Sequence, residues 1–134
     1  MNILLDSHIL LWTLAGSRQI PMKARDLIVD ESNQIYFSSA SLWELSIKHQ
    51  LHADVIPFST EELLEFCGEA EFKELPVTSA HVRMLATLSR SETAPRHKDP
   101  FDRILIAQAK AEDMKFLTHD AMLPYYGEPC IIKV

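Results

Sequence analysis

Asp6, Glu44, Asp102 and Asp120 are the residues whose types and positions suit chemistry. Asp6 follows the apolar run Ile3-Leu4-Leu5, and Asp120 follows Phe116-Leu117-Thr118-His119. Glu44 and Asp102 fall in the first turns of two segments with helical patterning, Ser41 to Leu51 and Pro100 to about Asp113. Two carboxylates ~5 Å apart repel by roughly 3 kcal/mol at an effective dielectric near 20. Four brought together would take up protons or bind cations. Oxygen-rich sites suit Mg²⁺ or Mn²⁺. Such ions lower the pKa of coordinated water and stabilise the attacking and leaving oxygens of an in-line displacement. The pattern is compatible with one ion or two.

Taken singly, each acid also has a structural role. Asp6 suits the N-cap of the helix that follows it. Ser41 and Glu44 have capping-box spacing. Asp99 and Asp102 flank Pro100-Phe101 in a first turn, where acids complement the helix dipole, and Asp99 reads as a capping or supporting group. Asp102 is less easily explained this way, because it precedes the apolar face of Leu105, Ile106 and Ala109 and so lies close to the core. Asp120 also suits a cap. His97, Lys98 and Arg103 adjoin the acids and suit a phosphate or a leaving oxygen; the alternatives are an exposed loop histidine and an arginine paired to a carboxylate. Trp12 and Trp43, on helical patterns, read as core or dimer packing rather than as stacking platforms.

The elements that must position these groups alternate between short apolar runs and helical ones. Residues 2–6 read as a buried strand, followed by a helix over 8–15 that stops at Gly16. Pro21 suits the first turn of a second helix. Further strands are expected at 35–38, at 73–77, at 115–118 and at 130–134. Ser59 and Glu62 open another helix with a capping box, and Thr78 or Ser79 caps one running through Leu88. Residues 89–98 are a polar loop. Strands interleaved with helices imply an α/β fold whose parallel sheet is covered on both faces. In such sheets ligands bind beyond the carboxyl ends of the strands, near a topological switch point. Asp6, Glu44, Asp102 and Asp120 are all expected at that edge.

Composition narrows the class. At 134 residues, 47% hydrophobic and 24% charged, the chain is expected to form one globular domain over 1–134. No apolar run approaches the ~20 residues that span a bilayer. The apolar opening lacks a basic leading segment and is interrupted by Asp6 and His8, so it reads as strand and helix rather than as a signal peptide. Cys67 and Cys130 have no CxxC partner, which argues against a zinc site and for two buried thiols in a reduced, cytoplasmic setting. The net charge of −6 means that any nucleic-acid partner cannot be held by a generally basic surface.

The segments LLDSHILLW (4–12), SSASLWELSIK (38–48), HKDPFDRILIAQA (97–109) and FLTHD (116–120) resemble, in order and spacing, those of the PIN-domain nucleases, most closely the VapC-type toxins of toxin–antitoxin pairs. The resemblance spans essentially the whole chain. It implies a three-layer α/β/α sandwich with a five-stranded, mostly parallel sheet. It also implies Mg²⁺- or Mn²⁺-dependent RNA cleavage, a homodimer and a cognate antitoxin. Carried over position by position, Asp6, Glu44, Asp102 and Asp120 match the catalytic, metal-binding acids, while Ser7 and Thr118 match hydroxyl residues beside the first and fourth.

Two other readings stand beside this one. A PIN-type nuclease of RNA processing, acting without an antitoxin, would share every one of these residues. A receiver-like signalling or binding module is also a small α/β domain with acids at the sheet edge. It requires paired acids after the first strand and an acceptor Asp after the third, whereas LLDSH offers one acid and KELPV ends without an Asp.

Overall fold

The computed structural model describes residues 1–134. The elements, in chain order, are β1 (Asn2–Leu5), α1 (Ser7–Leu14), α2 (Met22–Val29), β2 (Gln34–Ser38), α3 (Ser39–Leu51), α4 (Thr60–Glu69), β3 (Lys73–Leu75), α5 (Ser79–Met84), α6 (Pro100–Ala111), β4 (Lys115–Thr118) and β5 (Ile131–Lys133). The five strands form one sheet in the order β3-β2-β1-β4-β5, and all four pairings are parallel. The chain moves outward from β1 through β2 to β3, then returns to β1's other flank with β4. The order therefore reverses between β1 and β4, and this is the topological switch point.

Helices cover both faces, giving the expected α/β/α layering. Alternation along β1 sends Ile3 and Leu5 into a core shared with Ile9, Leu10, Ala24 and Leu63, from α1, α2 and α4. Leu4 points the other way, into a core with Phe116, Leu105, Ile106 and Ala109 from β4 and α6. Ile3, Leu4, Leu5, Phe116 and Leu117 are fully buried. Each such side chain stabilises the fold by roughly 1.5–3 kcal/mol. No helix is long and apolar enough to cross a membrane.

Several boundaries differ from the sequence expectation for local reasons. β3 ends at Leu75 rather than residue 77, because Pro76 has no N–H to offer the ladder. Pro21 is the N-cap of α2, extended at φ −60° and ψ 144°, rather than a first-turn residue. α5 ends at Met84 and passes into a 3₁₀ turn, Leu85–Thr87, short of Leu88. The capping box of Ser59 and Glu62 is present as expected. Cys67 is buried, but Cys130 is only half-buried, and both thiols are free. Trp43 is 65% exposed and so is not a core residue; its ring packs edge-on against Phe101, with centroids 5.2 Å apart.

One buried polar link ties α5 to α6. His81 is fully buried; its Nδ1 accepts from the Thr78 backbone N–H at 3.0 Å and its Nε2 lies 2.8 Å from Glu112 Oε1. Truncation would leave a cavity and an unpaired N–H, so His81→Ala is expected to cost about 2–4 kcal/mol. Glu112→Gln, which keeps an acceptor at the half-exposed end, should cost less than about 1 kcal/mol. Urea denaturation of the two variants checks the ordering, and equal losses would contradict it.

Candidate active site

The carboxyl ends of β1 and β4 carry the acids into one place. Leu5 stands opposite Leu117 in the parallel register, and the ladder continues one step further as the Asp6 N–H donates to the Leu117 carbonyl at 3.0 Å. Alternation then gives Asp6 and Thr118 the face of Leu4 and Phe116, which is the face covered by α6. The two side chains meet there: Thr118 Oγ1 donates to Asp6 Oδ2 at 2.6 Å. The same hydroxyl accepts from the Asp120 backbone N–H at 3.0 Å, so one threonine ties the first acid to the fourth.

Ser7 makes the corresponding link to the second acid. Its backbone N–H donates to Asp6 Oδ1 at 2.7 Å, and its hydroxyl donates to Glu44 Oε1 at 2.7 Å while lying 2.9 Å from Ser41 Oγ. Asp6 is thus the N-cap of α1 and part of the cluster at once. The Ser41–Glu44 capping box is not formed. Ser38, extended at the end of β2, caps α3 by accepting from the Ala40 N–H at 3.0 Å. The helix therefore begins at Ser39, and Ser41 is buried inside its first turn. Glu44, freed from capping, is buried between Ser7 and Lys48, whose ammonium lies 2.7 Å from Glu44 Oε2.

α6 brings the third acid. Asp99 is the exposed N-cap, accepting from the Phe101 N–H at 2.9 Å, and Pro100 fills the first helical position. This leaves Asp102 in the first turn, largely buried, with its side chain 13% exposed. Its Oδ2 lies 3.0 Å from His97 Nε2. Ligand atoms of His97, Asp102 and Asp120 all lie within 4.8 Å of one another. Asp120 Oδ1 accepts from the Met122 N–H at 2.8 Å. Asp102 and Asp120 thus stand side by side, with Asp6 joined to Asp120 through Thr118 and Glu44 joined to Asp6 through Ser7. A cavity of about 260 Å³, lined by Asp6, His8, Trp12, His119 and Asp120, gives solvent access to the cluster.

Electrostatics follow from this crowding. Burial pushes the Asp102 carboxyl up to about 8, with the charges of Asp6, Asp99, Glu44 and Asp120 all acting in the same direction. Burial also raises Asp6, against the pull of its bonds from Thr118 and Ser7. His97 is lowered by burial and by Arg90, against the pull of Asp120 and Asp99. Asp6 and Asp102, buried carboxylates that hold protons above their usual range, with Glu44 and Asp120 beside them, offer oxygen donors suited to a hard divalent cation, and in that respect the residues fit Mg²⁺ or Mn²⁺.

The flanking residues divide clearly. His97 is not an exposed loop residue, because it is wedged between Asp102 and Tyr126. Arg103 forms no ion pair; its guanidinium stands over the Tyr126 ring at 5.9 Å. His119 Nδ1 is bonded to the carbonyl of Val134 at 2.6 Å. Tyr126, which packs against both His97 and Arg103, was not singled out from sequence. It sits in a short 3₁₀ turn, Leu123–Tyr126, with no motif around it.

Among solved structures, VapBC2 from Rickettsia felis bound to a DNA fragment from their promoter is similar, with a TM-score of 0.67 and 16% identity over 100% of this chain and 98% of that one. FitAcB from Neisseria gonorrhoeae is similar at TM-score 0.60 and 17% identity, covering 98% of this chain and 96% of that one. FitAB bound to the IR36 DNA fragment aligns at TM-score 0.59 and 18% identity, over 98% and 94% of the two chains. At these identities the likeness is one of fold. No curated protein matches the sequence. The family model of the PIN domain matches residues 3–128, and the chain accordingly belongs to the PIN-domain family of nucleases.

Proposed function

We propose that this chain is a Mg²⁺- or Mn²⁺-dependent endoribonuclease, a cytoplasmic single-domain toxin that works as a homodimer and is inhibited by a cognate antitoxin. The observation that carries the reading is the convergence of Asp6, Glu44, Asp102 and Asp120 at the β1/β4 edge, with Asp102 pushed up to about 8. The antitoxin partner is supported by the neighbours, which are VapBC and FitAB assemblies. A groove of about 640 Å³ that begins at Ser7 and His8 and runs past Leu11, Trp12, Ile56 and Phe58 has the apolar lining that suits an amphipathic segment.

Asp6, Asp102 and Asp120 would hold the cation, with Glu44 completing the set through whichever oxygen it shares with Ser7 or Lys48. A divalent cation there supplies Lewis-acid activation of water and neutralises charge on the scissile phosphate. The chain's own residues do the rest. Ser7 and Thr118 fix the Asp6 oxygens, each by a bond of 2.7 Å or less. In this reading Arg96 and Lys98, beside His97 on the 89–98 loop, would meet phosphates of the strand.

Purified protein should cut RNA in Mn²⁺ and not in EDTA. Asp6→Asn and Asp102→Asn should each lower cleavage by at least about a hundredfold, on the order of 3 kcal/mol of transition-state stabilisation, while circular dichroism stays that of the parent. Undiminished cutting by both variants would assign the activity elsewhere.

A pH signature follows from Asp102. Its ordinary value is 3.8 and its folded value is about 8, so between these the folded protein keeps a proton that the unfolded chain has released. The stability contributed by this group is complete below about pH 4 and is lost as pH rises towards 8. A cation binds the ionised form, so Mn²⁺ affinity should rise by up to about tenfold per unit between pH 6 and 8. The rise in melting temperature on adding Mn²⁺ should accordingly be larger at pH 8 than at pH 6. A pH-independent increment would remove Asp102 from the ion's site.

A further inference from the structure

One hydrogen-bonded chain at the site is not explained by the four acids. Tyr126 OH lies 2.8 Å from His97 Nδ1, and His97 Nε2 lies 3.0 Å from Asp102 Oδ2. The two rings meet edge to face, with centroids 5.6 Å apart and planes at 88°. Tyr126 is itself immobilised: it is 5% exposed, and the Arg90 guanidinium stands 4.9 Å from its ring centroid. Arg90 is fixed in turn by donating to the carbonyls of Met122 and Pro95, at 2.9 and 2.6 Å.

We propose that Tyr126 and His97 form a strut that positions Asp102 for the cation, with His97 acting as a positioning residue and not as a ligand. This inference rests on the nuclease reading above. A neutral imidazole has one donor and one acceptor nitrogen, and an ionised carboxylate only accepts. An Asp102 ready for an ion therefore requires the proton on Nε2, donated to Oδ2, which leaves Nδ1 to accept from the tyrosine hydroxyl. The strut occupies Oδ2, and Oδ1 has no protein partner and is left for the ion. Carboxylates that hold metals are commonly oriented by such outer hydrogen bonds, whose loss weakens affinity about 10- to 100-fold.

Direct ligation is the competing role, since His97, Asp102 and Asp120 offer atoms within 4.8 Å of one another. It would require Nε2 to give up its proton and its bond to Asp102, while Nδ1 is already engaged by Tyr126. Both nitrogens are spoken for, and the side chain is only 9% exposed. The geometry favours the strut.

The test is Mn²⁺ affinity, measured by calorimetry without RNA, for the parent, His97→Ala, His97→Gln and Tyr126→Phe, with melting curves for each. His97→Ala should weaken binding about 10- to 100-fold. Tyr126→Phe should weaken it by less and in the same direction. His97→Gln, whose amide N–H can still reach Asp102, should restore binding to within a few-fold of the parent. Pulsed electron paramagnetic resonance of the Mn²⁺-loaded parent, labelled with ¹⁵N-histidine, should show no directly bound nitrogen. Parental affinity in His97→Ala or in Tyr126→Phe overturns the strut. A directly bound histidine nitrogen, with Gln no better than Ala, overturns it in favour of ligation. A parent that binds no Mn²⁺ overturns the nuclease reading and the strut together, whereas a parent that binds it and variants that match it overturn the strut alone. Should His97→Ala fail to fold, the Gln and Phe variants decide.

Discussion

Mutual repulsion among carboxylates buried at one edge of a parallel sheet is the constraint around which this molecule is arranged. Two ionised carboxylates ~5 Å apart repel by roughly 3 kcal/mol at an effective dielectric near 20, and the acids here are too far apart in sequence for any local structure to hold them. Asp6 and Thr118 meet across 112 positions. The opposing work is done by the two apolar layers on either side of β1, whose fully buried leucines and isoleucines each stabilise by roughly 1.5–3 kcal/mol. Local relief comes from donors placed against the acids. The Ser7 N–H and hydroxyl, the Thr118 hydroxyl and the Lys48 ammonium all point hydrogen atoms or positive charge at carboxylate oxygens. The relief is incomplete at Asp102, whose carboxyl burial and neighbouring charges push up to about 8.

Topology decides which acid ends up nearest which. Because β1 and β4 are adjacent and parallel, the residues after them leave the sheet side by side, and pleat alternation gives Asp6 and Thr118 the same face. α6 packs on that face, and its N-terminal turn brings Asp102 to the same spot. α3 begins directly at the end of β2, with Ser38, the last strand residue, acting as its cap. That short junction holds Glu44 one turn from the edge, where Ser7 can reach it. A register shift of one residue in β1 would turn Asp6 to the opposite face and break the Thr118 bond.

Much of this was legible from sequence because it is encoded locally. A charged residue ending a buried strand, as at Asp6, is costly without a partner, and Pro100 at the first helical position marks the start of α6. What was not legible depends on choices between neighbouring candidates or on distant packing. Ser38 and Ser41 are both able to cap, and only the length of β2 decides for Ser38. The patterning around Trp43 is that of a helix, but which side of α3 meets the sheet is set by Leu42 and Leu45, and the tryptophan is left outside. Tyr126 carries no motif, and its value lies entirely in arriving beside a histidine 29 positions away.

A net charge of −6 sits awkwardly with a nucleic-acid substrate until its distribution is considered. Several of the negative charges are gathered into one buried cluster, where in the proposed reading they serve the cation rather than repel the strand. Charge that is neutralised on loading no longer counts against a phosphodiester at that spot. In that reading basic residues are needed only at the flank, where Arg96 and Lys98 stand on either side of His97. Arg90, on the same loop, is engaged in holding Tyr126 and two carbonyls, so it is a structural residue rather than a phosphate contact. Binding strength in such an arrangement is governed by the ion and by a few fixed side chains, and total charge is a poor guide to it.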